Sequence, residues 1–238
     1  MRDMVADMME DTSYEGQFAG FSEDSLELQA YLKEEKWGKG SWDEWASQTW
    51  AKQLKPQLTS LLSDCSRELS GSLNPELTNP ELARVNPNAN IAKFFWGAVV
   101  REGRTRHSDI QFFVALRWGY VRVGLYLNSK DQKDPELFES LMSNLDGRDD
   151  DITRALEHAE ANGVRLCQAF PPTFSGKVIP YSRTETTWRK EFEKRGEIDL
   201  LKAWKIDDDI LRTPDFAKEV LNAYSALAPF YRVLLGER

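Results

Sequence analysis

Between Asp109 and Leu127 apolar residues recur at every second position, and Trp118-Gly119 interrupts the pattern once. Neighbouring side chains of an extended chain point to opposite faces, so this stretch predicts two strands, Asp109 to Arg117 and Tyr120 to Leu127. A tight hairpin joins them if Gly119 takes a positive φ. One face then carries Ile110, Phe112, Val114 and Leu116 beside Val121, Val123, Leu125 and Leu127, which must be core. The other carries Gln111, Phe113, Ala115 and Arg117 beside Tyr120, Arg122, Gly124 and Tyr126, half polar and half aromatic. A sheet with one fully aliphatic face needs a layer to cover it, and the rest of the chain offers helices.

Ser22-Glu23-Asp24 opens a helix that Trp37-Gly38-Lys39-Gly40 closes. Ser41 and Glu44 form a capping box for a long helix in which Trp42, Trp45, Trp50, Leu54, Leu58, Leu61, Leu62 and Leu69 recur at helical spacing, with a kink expected at Pro56. Pro75, Pro80 and Pro87 mark a loop from Gly71 to Asn90, followed by an aromatic strand, Ile91 to Arg101. Beyond the hairpin come helices from Asp134 to Asn144 and from Asp149 to Asn162, with Gly163 as the residue after the cap. A strand from Val164 to Phe170, a charged helix from Glu185 to Arg195 and a strand from Gly196 to Ile206 follow. Thr213-Pro214 caps a last helix whose Phe216, Val220, Ala223, Tyr224 and Leu227 form one stripe before Pro229. The expected class is α+β: a central antiparallel sheet flanked by helices, with long N-terminal and C-terminal helices packing on it. The expected organisation is an acidic N-terminal arm, residues 1 to 21, and a single domain, residues 22 to 238.

Net charge bears on what such a sheet could bind. The chain of 238 residues carries 31 Lys and Arg against 39 Asp and Glu, a net charge of −8. Residues 1 to 35 hold ten acids against Arg2 and Lys33, so that segment accounts for the whole excess. Arg84 to Arg122, by contrast, carries seven bases against Glu102 and Asp109. The acidity of the total therefore does not argue against a polyanionic partner for the sheet. Cys65 and Cys167 lie far apart and are expected to be free thiols. The opening Met1-Arg2-Asp3-Met4 lacks the pattern of a signal peptide, and no apolar run is long enough to span a bilayer. The expected setting is cytoplasmic, with no membrane contact.

Common catalytic templates do not fit. His107 and His158 are the only histidines and have no ligands at metal-binding spacing; Gly38-Lys39-Gly40-Ser41 lacks the first glycine of a phosphate loop. Asp149-Asp150-Asp151 at a helix start is explained by capping, and Asp207-Asp208-Asp209 by a solvated turn, although carboxylates after a strand are also where metal-dependent nucleases place them. No catalytic residue, metal ligand or cofactor is expected, and a metal-dependent nuclease is the remaining enzymatic alternative.

The loop Arg101-Glu102-Gly103-Arg104-Thr105-Arg106-His107-Ser108-Asp109 is different in kind. Closely spaced guanidinium groups, a glycine that lets the backbone turn, and hydroxyls between them can hold phosphate oxygens from several directions. Aromatic residues alongside, Trp96, Phe113, Trp118, Tyr120 and Tyr126, can stack on bases. The plainer reading is an exposed turn in which Arg104 or Arg106 pairs with Asp109 while the aromatics are core. The candidate nucleic-acid contacts are Arg101, Arg104, Arg106, His107, Gln111, Arg117, Trp118, Tyr120 and Arg122.

Phe95-Trp96-Gly97-Ala98, the run from Arg101 to Val114, and Val123-Gly124-Leu125-Tyr126-Leu127 resemble the N-terminal domains of McrB-type AAA+ modification-dependent restriction GTPases. There an aromatic strand, a Gly-Arg-x-Arg loop and an Asp-x-Gln strand precede a strand ending in Gly-x-Tyr; Ala228-Pro229-Phe230-Tyr231 is similar to the way those domains close. The match covers about forty residues, and the motor of that family is absent from this chain. The resemblance implies a DNA-binding or modified-DNA-sensing module of a restriction or phage-defence system, with an AAA+ motor or another defence protein as partner. The alternative is a protein-interaction module, such as a defence regulator or a phage-encoded inhibitor, acting through the acidic arm.

Overall fold

The hairpin forms as its alternation predicts and sits at the centre of a six-stranded sheet. In the computed structural model the described residues are 17–31, 43–71, 73, 77, 80–82, 95–106, 108–117, 119–128, 135–167, 178–181, 187–195 and 197–237. The strands are β1 (Glu81–Leu82), β2 (Phe95–Val99), β3 (Gln111–Arg117), β4 (Tyr120–Asn128), β5 (Arg165–Cys167) and β6 (Glu197–Lys205). Their spatial order is β1-β2-β3-β4-β6-β5, and every neighbouring pair is antiparallel. Gly119 turns the hairpin at φ 73, a conformation that costs glycine little. The 71–90 loop contains β1, which lengthens the sheet at the β2 edge.

Helices α1 (Glu23–Glu27), α2 (Glu44–Thr49), α3 (Lys55–Ser70), α4 (Pro135–Leu145), α5 (Asp149–Ala161), α6 (Thr187–Arg195) and α7 (Asp215–Leu234) complete the α+β architecture. The long N-terminal and C-terminal helices pack on the aliphatic face as expected. Phe112 meets Tyr224 and Tyr231 of α7 at centroid separations of 5.1 and 5.0 Å, Trp50 stacks on Phe95 at 5.3 Å, and Trp204 meets Phe216 edge-on at 5.2 Å. The aliphatic residues that alternation assigned to the core are fully buried.

Three local expectations change. The cap of the second helix is Asp43, whose carboxylate accepts the Ala46 N–H at 2.8 Å; Ser41 lies outside the described residues. Ahead of Pro56 the chain takes one π-turn, Trp50–Leu54, in which the Lys55 N–H donates to the Trp50 carbonyl, and then continues as α3. A proline cannot donate to the carbonyl four residues back, and the wider turn rearranges the hydrogen-bond ladder around that gap. At the other end α7 does not stop before Pro229 but runs through it to Leu234. Phe230, Tyr231, Val233 and Leu234 are all buried there, and four such side chains offset the roughly 3 kcal/mol that an internal proline costs.

The expected boundary after residue 21 does not mark where packing begins. Phe18 and Phe21 are each 2% exposed, 5.2 Å apart, and Phe21 lies 5.8 Å from Phe216 of α7. The Phe21 N–H donates to the Leu211 carbonyl at 2.8 Å, and the Phe18 N–H donates to the buried Asp64 carboxylate on α3 at 3.0 Å. Asp64 also accepts from Arg67 at 3.1 Å. Residues 17 to 21 thus belong to the helical layer, while residues 1 to 16 of the expected arm lie outside the described residues. Replacing Asp64 with Ala strips the Phe18 N–H of its acceptor in a buried site, and urea unfolding should show a loss of about 2 kcal/mol.

Candidate nucleic-acid interface

A buried carboxylate fixes the loop between β2 and β3. Asp109 is fully buried and accepts from Arg101 three times: from its backbone N–H at 2.9 Å, from Nε at 2.8 Å and from Nη2 at 2.5 Å. Between these anchors the chain makes two tight turns, with the Arg104 N–H on the Arg101 carbonyl at 3.0 Å and the Ser108 N–H on the Thr105 carbonyl at 2.9 Å. The Thr105 N–H also donates to the Ser108 hydroxyl at 3.2 Å. Gly103 supplies the left-handed residue, φ 74, with open space around it. The partner of Asp109 is therefore Arg101, a role that composition had offered to Arg104 or Arg106.

The rest of the loop is braced from the sheet. The Arg106 N–H donates to the Glu81 carboxylate at 3.3 Å, the Gln111 amide donates to the Arg106 carbonyl at 2.6 Å, and the Arg106 guanidinium lies 4.5 Å from the Trp96 ring centre. Gln111 is buried and turned toward the loop backbone, so its amide helps hold the turn. Glu102, Gly103, Arg104 and Thr105 are exposed, and Arg106 is half-buried on its tryptophan. What results is a braced turn whose apex carries Arg104, exposed, and Arg106, stacked on an aromatic ring. Such an arrangement suits phosphate and base contacts with little ordering cost on binding.

Arg117, Tyr120 and Arg122 lie at the opposite end of the hairpin. Six residues of strand separate Gln111 from Arg117, about 20 Å at roughly 3.3 Å per residue. Arg117 is 7% exposed and Arg122 1%, with Tyr120 half-buried. Register places Arg117 opposite Tyr120, and Arg122 two residues further along the same face, so the two arginines are diagonal neighbours. Burial pushes both guanidinium groups down in pKa, that of Arg122 to about 10. The adjacent Arg117 lowers Arg122 further, and the buried Asp199 of β6 opposes the shift in both. The carboxylate of Asp199, on the same sheet face, is the anion that acts on both guanidinium groups. His107 and Trp118, the other two candidate contacts, lie outside the described residues.

Reading the sequence alone missed β6 as the neighbour of β4. Pairing puts Ala203 opposite Arg122, Lys205 opposite Tyr120 and Asp199 opposite Tyr126, and β5 adds Arg165 opposite Leu201. Arg165 and Lys205 are exposed on the same face as the candidate arginines. The period-2 pattern of Ile198, Leu200, Trp204 and Ile206 identified the strand, but nothing local in it names a partner nearly eighty residues earlier. The seven described candidates thus form two groups at the ends of one sheet face; Lys205 shares the row of the second group, whereas Arg165 lies in the row of Leu201 and Gly124, nearer the loop end.

The cysteines take no part in this chemistry. Both are buried and free, and burial raises the thiol of Cys167 to about 12 and that of Cys65 higher still. Among the described residues no cluster of His, Cys, Asp and Glu could hold a metal ion, and no helix is long and apolar enough to cross a membrane.

Fold and site together define an antiparallel α+β sheet protein with one helix-covered face and one face bearing cations at both ends. No protein-family model matches the chain, and no curated protein matches it. The likeness to McrB-type N-terminal domains rests on the residues quoted for it.

Proposed function

We propose that this chain is a non-catalytic nucleic-acid-binding domain that grips phosphates through the β2–β3 loop, with Arg104 and Arg106 as its principal contacts. The observation that carries the reading is the braced turn itself. Three internal acceptors and donors, Asp109, Glu81 and Gln111, fix the loop backbone while Arg104 projects exposed and Arg106 rests on Trp96. Arg101 and Gln111 then act as positioning residues. The resemblance to McrB-type domains supplies the setting: DNA as ligand, a modified base as the feature sensed, and a restriction or phage-defence system in the cytoplasm with an AAA+ motor or a related protein as partner.

Counterion release makes such binding fall with salt, by close to one unit of log-log slope per phosphate contact. Gel shifts with single-stranded, duplex and modified DNA at about 50 and 200 mM salt should show this steep loss. The double variant Arg104→Ala, Arg106→Ala should bind at least about 10-fold more weakly with a slope shallower by about two, and should melt within a few degrees of the wild type. Unchanged binding in the variant, or no binding by the wild type, would overturn the reading and favour a protein-interaction module acting through the acidic N-terminal arm.

A further inference from the structure

We infer that Glu81 reads the base beside the gripped phosphates, its second carboxylate oxygen accepting a hydrogen bond from an exocyclic amino group. The loop then selects adenine and cytosine against their carbonyl counterparts, hypoxanthine and uracil. This rests on the nucleic-acid reading of the loop and adds a specificity to it.

Register supplies the geometry. β1 is the outermost strand of the sheet, and Glu81 stands opposite Ala98 of β2, which stands opposite Phe113 of β3. Trp96, two residues from Ala98, therefore shares a face with Glu81, and Trp96 carries the Arg106 guanidinium at 4.5 Å. The Glu81 carboxylate reaches the loop itself, where one oxygen accepts the Arg106 N–H at 3.3 Å. Arg104 is two residues further back, at most about 7 Å along the chain. Glu81 is half-buried, and its neighbour across the pair, Ala98, carries only a methyl group.

The other oxygen of Glu81 is unused: among the described residues no second donor and no cation engages it. Bracing the Arg106 N–H asks only for a carbonyl, which a neutral amide would provide. A full negative charge beside groups that hold phosphates repels the ligand backbone, and only a donor from the ligand offsets that cost. Bases bring such donors. Adenine N6 and cytosine N4 are amino groups, whereas hypoxanthine and uracil put a carbonyl oxygen at the same place, which a carboxylate repels. Of the three described acids at the loop, Asp109 is buried on Arg101 and Glu102 has no hydrogen bond to hold it. Glu81 alone is both fixed and partly exposed.

The test is fluorescence anisotropy with end-labelled single strands of about six nucleotides, under mildly alkaline conditions where cytosine is neutral. Two matched pairs are compared, deoxyadenosine against deoxyinosine and deoxycytidine against deoxyuridine. Within each pair the amino group is exchanged for a carbonyl on the same ring. The proteins are the full chain and its Glu81→Gln variant. Gln keeps a carbonyl for the Arg106 N–H and puts a donating amide where the second oxygen was, so the turn stays braced while the reading group inverts. The wild type should favour the amino member of each pair by at least about 5-fold, and in Glu81→Gln that preference should vanish or reverse. The variant should melt within a few degrees of the wild type. Wild-type parity in either pair, or an unchanged preference in the variant, would overturn the role of Glu81. The loop site would still stand if Arg104→Ala, Arg106→Ala weakened all four strands. Failure of the wild type to bind any strand would remove both.

Discussion

Replacing Arg101 with Met is expected to lower the folding stability of this protein by about 3 to 5 kcal/mol, the largest loss from any single cation in the sheet region. The cause is what remains behind. Asp109 is fully buried, and Arg101 supplies both its charge partner and most of its hydrogen bonds, at 2.5 to 3.0 Å. Without the guanidinium a carboxylate stays in an apolar site with only the Arg101 N–H to satisfy it. The pair itself is worth far less than this number, because bringing both charges out of water offsets most of their attraction. The double variant Arg101→Met, Asp109→Leu should therefore recover part of the loss, leaving a deficit of about 1 to 3 kcal/mol for the Arg101 N–H that has lost its acceptor. Urea denaturation of the two variants checks this. A single variant as stable as the wild type would show that Asp109 does not depend on Arg101. The same experiment separates positioning from contact: DNA affinity of Arg101→Met under folding conditions should fall because the loop loosens, whereas its salt slope should stay near the wild-type value.

The second large effect is steric. A methyl group at Gly124 would run into the carbonyl oxygen of Leu200 and would stand 2.8 Å from the Leu201 Cα and 2.9 Å from the Leu200 carbonyl carbon. These are backbone atoms of the neighbouring strand, so no side chain can swing away to make room. Gly124→Ala should cost more than about 3 kcal/mol, above the usual range for added methylenes in a core, because relief requires β6 to separate from β4. Gly103→Ala is the matched control. That position meets nothing within 4 Å and carries only the strain of φ 74, roughly 1 to 2 kcal/mol. Hydrogen exchange should show lost protection across β6 in the first variant and none in the second. Equal melting temperatures for the two would contradict this account of the β4–β6 contact.

Strand alternation was legible because each face has a different chemistry. Phe112, Val114 and Leu116 could only be core, and Gly119 could only be the turn. The α7 stripe of Phe216, Val220, Ala223, Tyr224 and Leu227 was legible for the same reason, at helical spacing. Capping was less so: Ser41, Asp43 and Glu44 all belong to the helix-start vocabulary, and the choice among them depends on backbone geometry two residues away. Pairing of Arg101 with Asp109 was hidden because three arginines lie within reach of one acid, and only the antiparallel approach of the β2 end to the β3 start selects Arg101. The surroundings of the cations on β5 and β6 were the least legible. Lys205 and Arg165 acquire meaning from the strand order β4-β6-β5, and no local periodicity records which strand lies beside which.

That strand order also sets a sequence of events in time. The β3–β4 hairpin closes through two residues, and isolated hairpins form in roughly 1 to 10 μs. β6 can pair with β4 only after the intervening helices α4, α5 and α6 have been drawn in, a much longer closure whose entropy must be met before the contacts that reward it exist. The loop between β2 and β3 is thus assembled from neighbours in sequence, whereas the β6–β5 side of the sheet is completed late. A nascent chain emerging from the ribosome would have the turn between β2 and β3 in place before its sheet was complete.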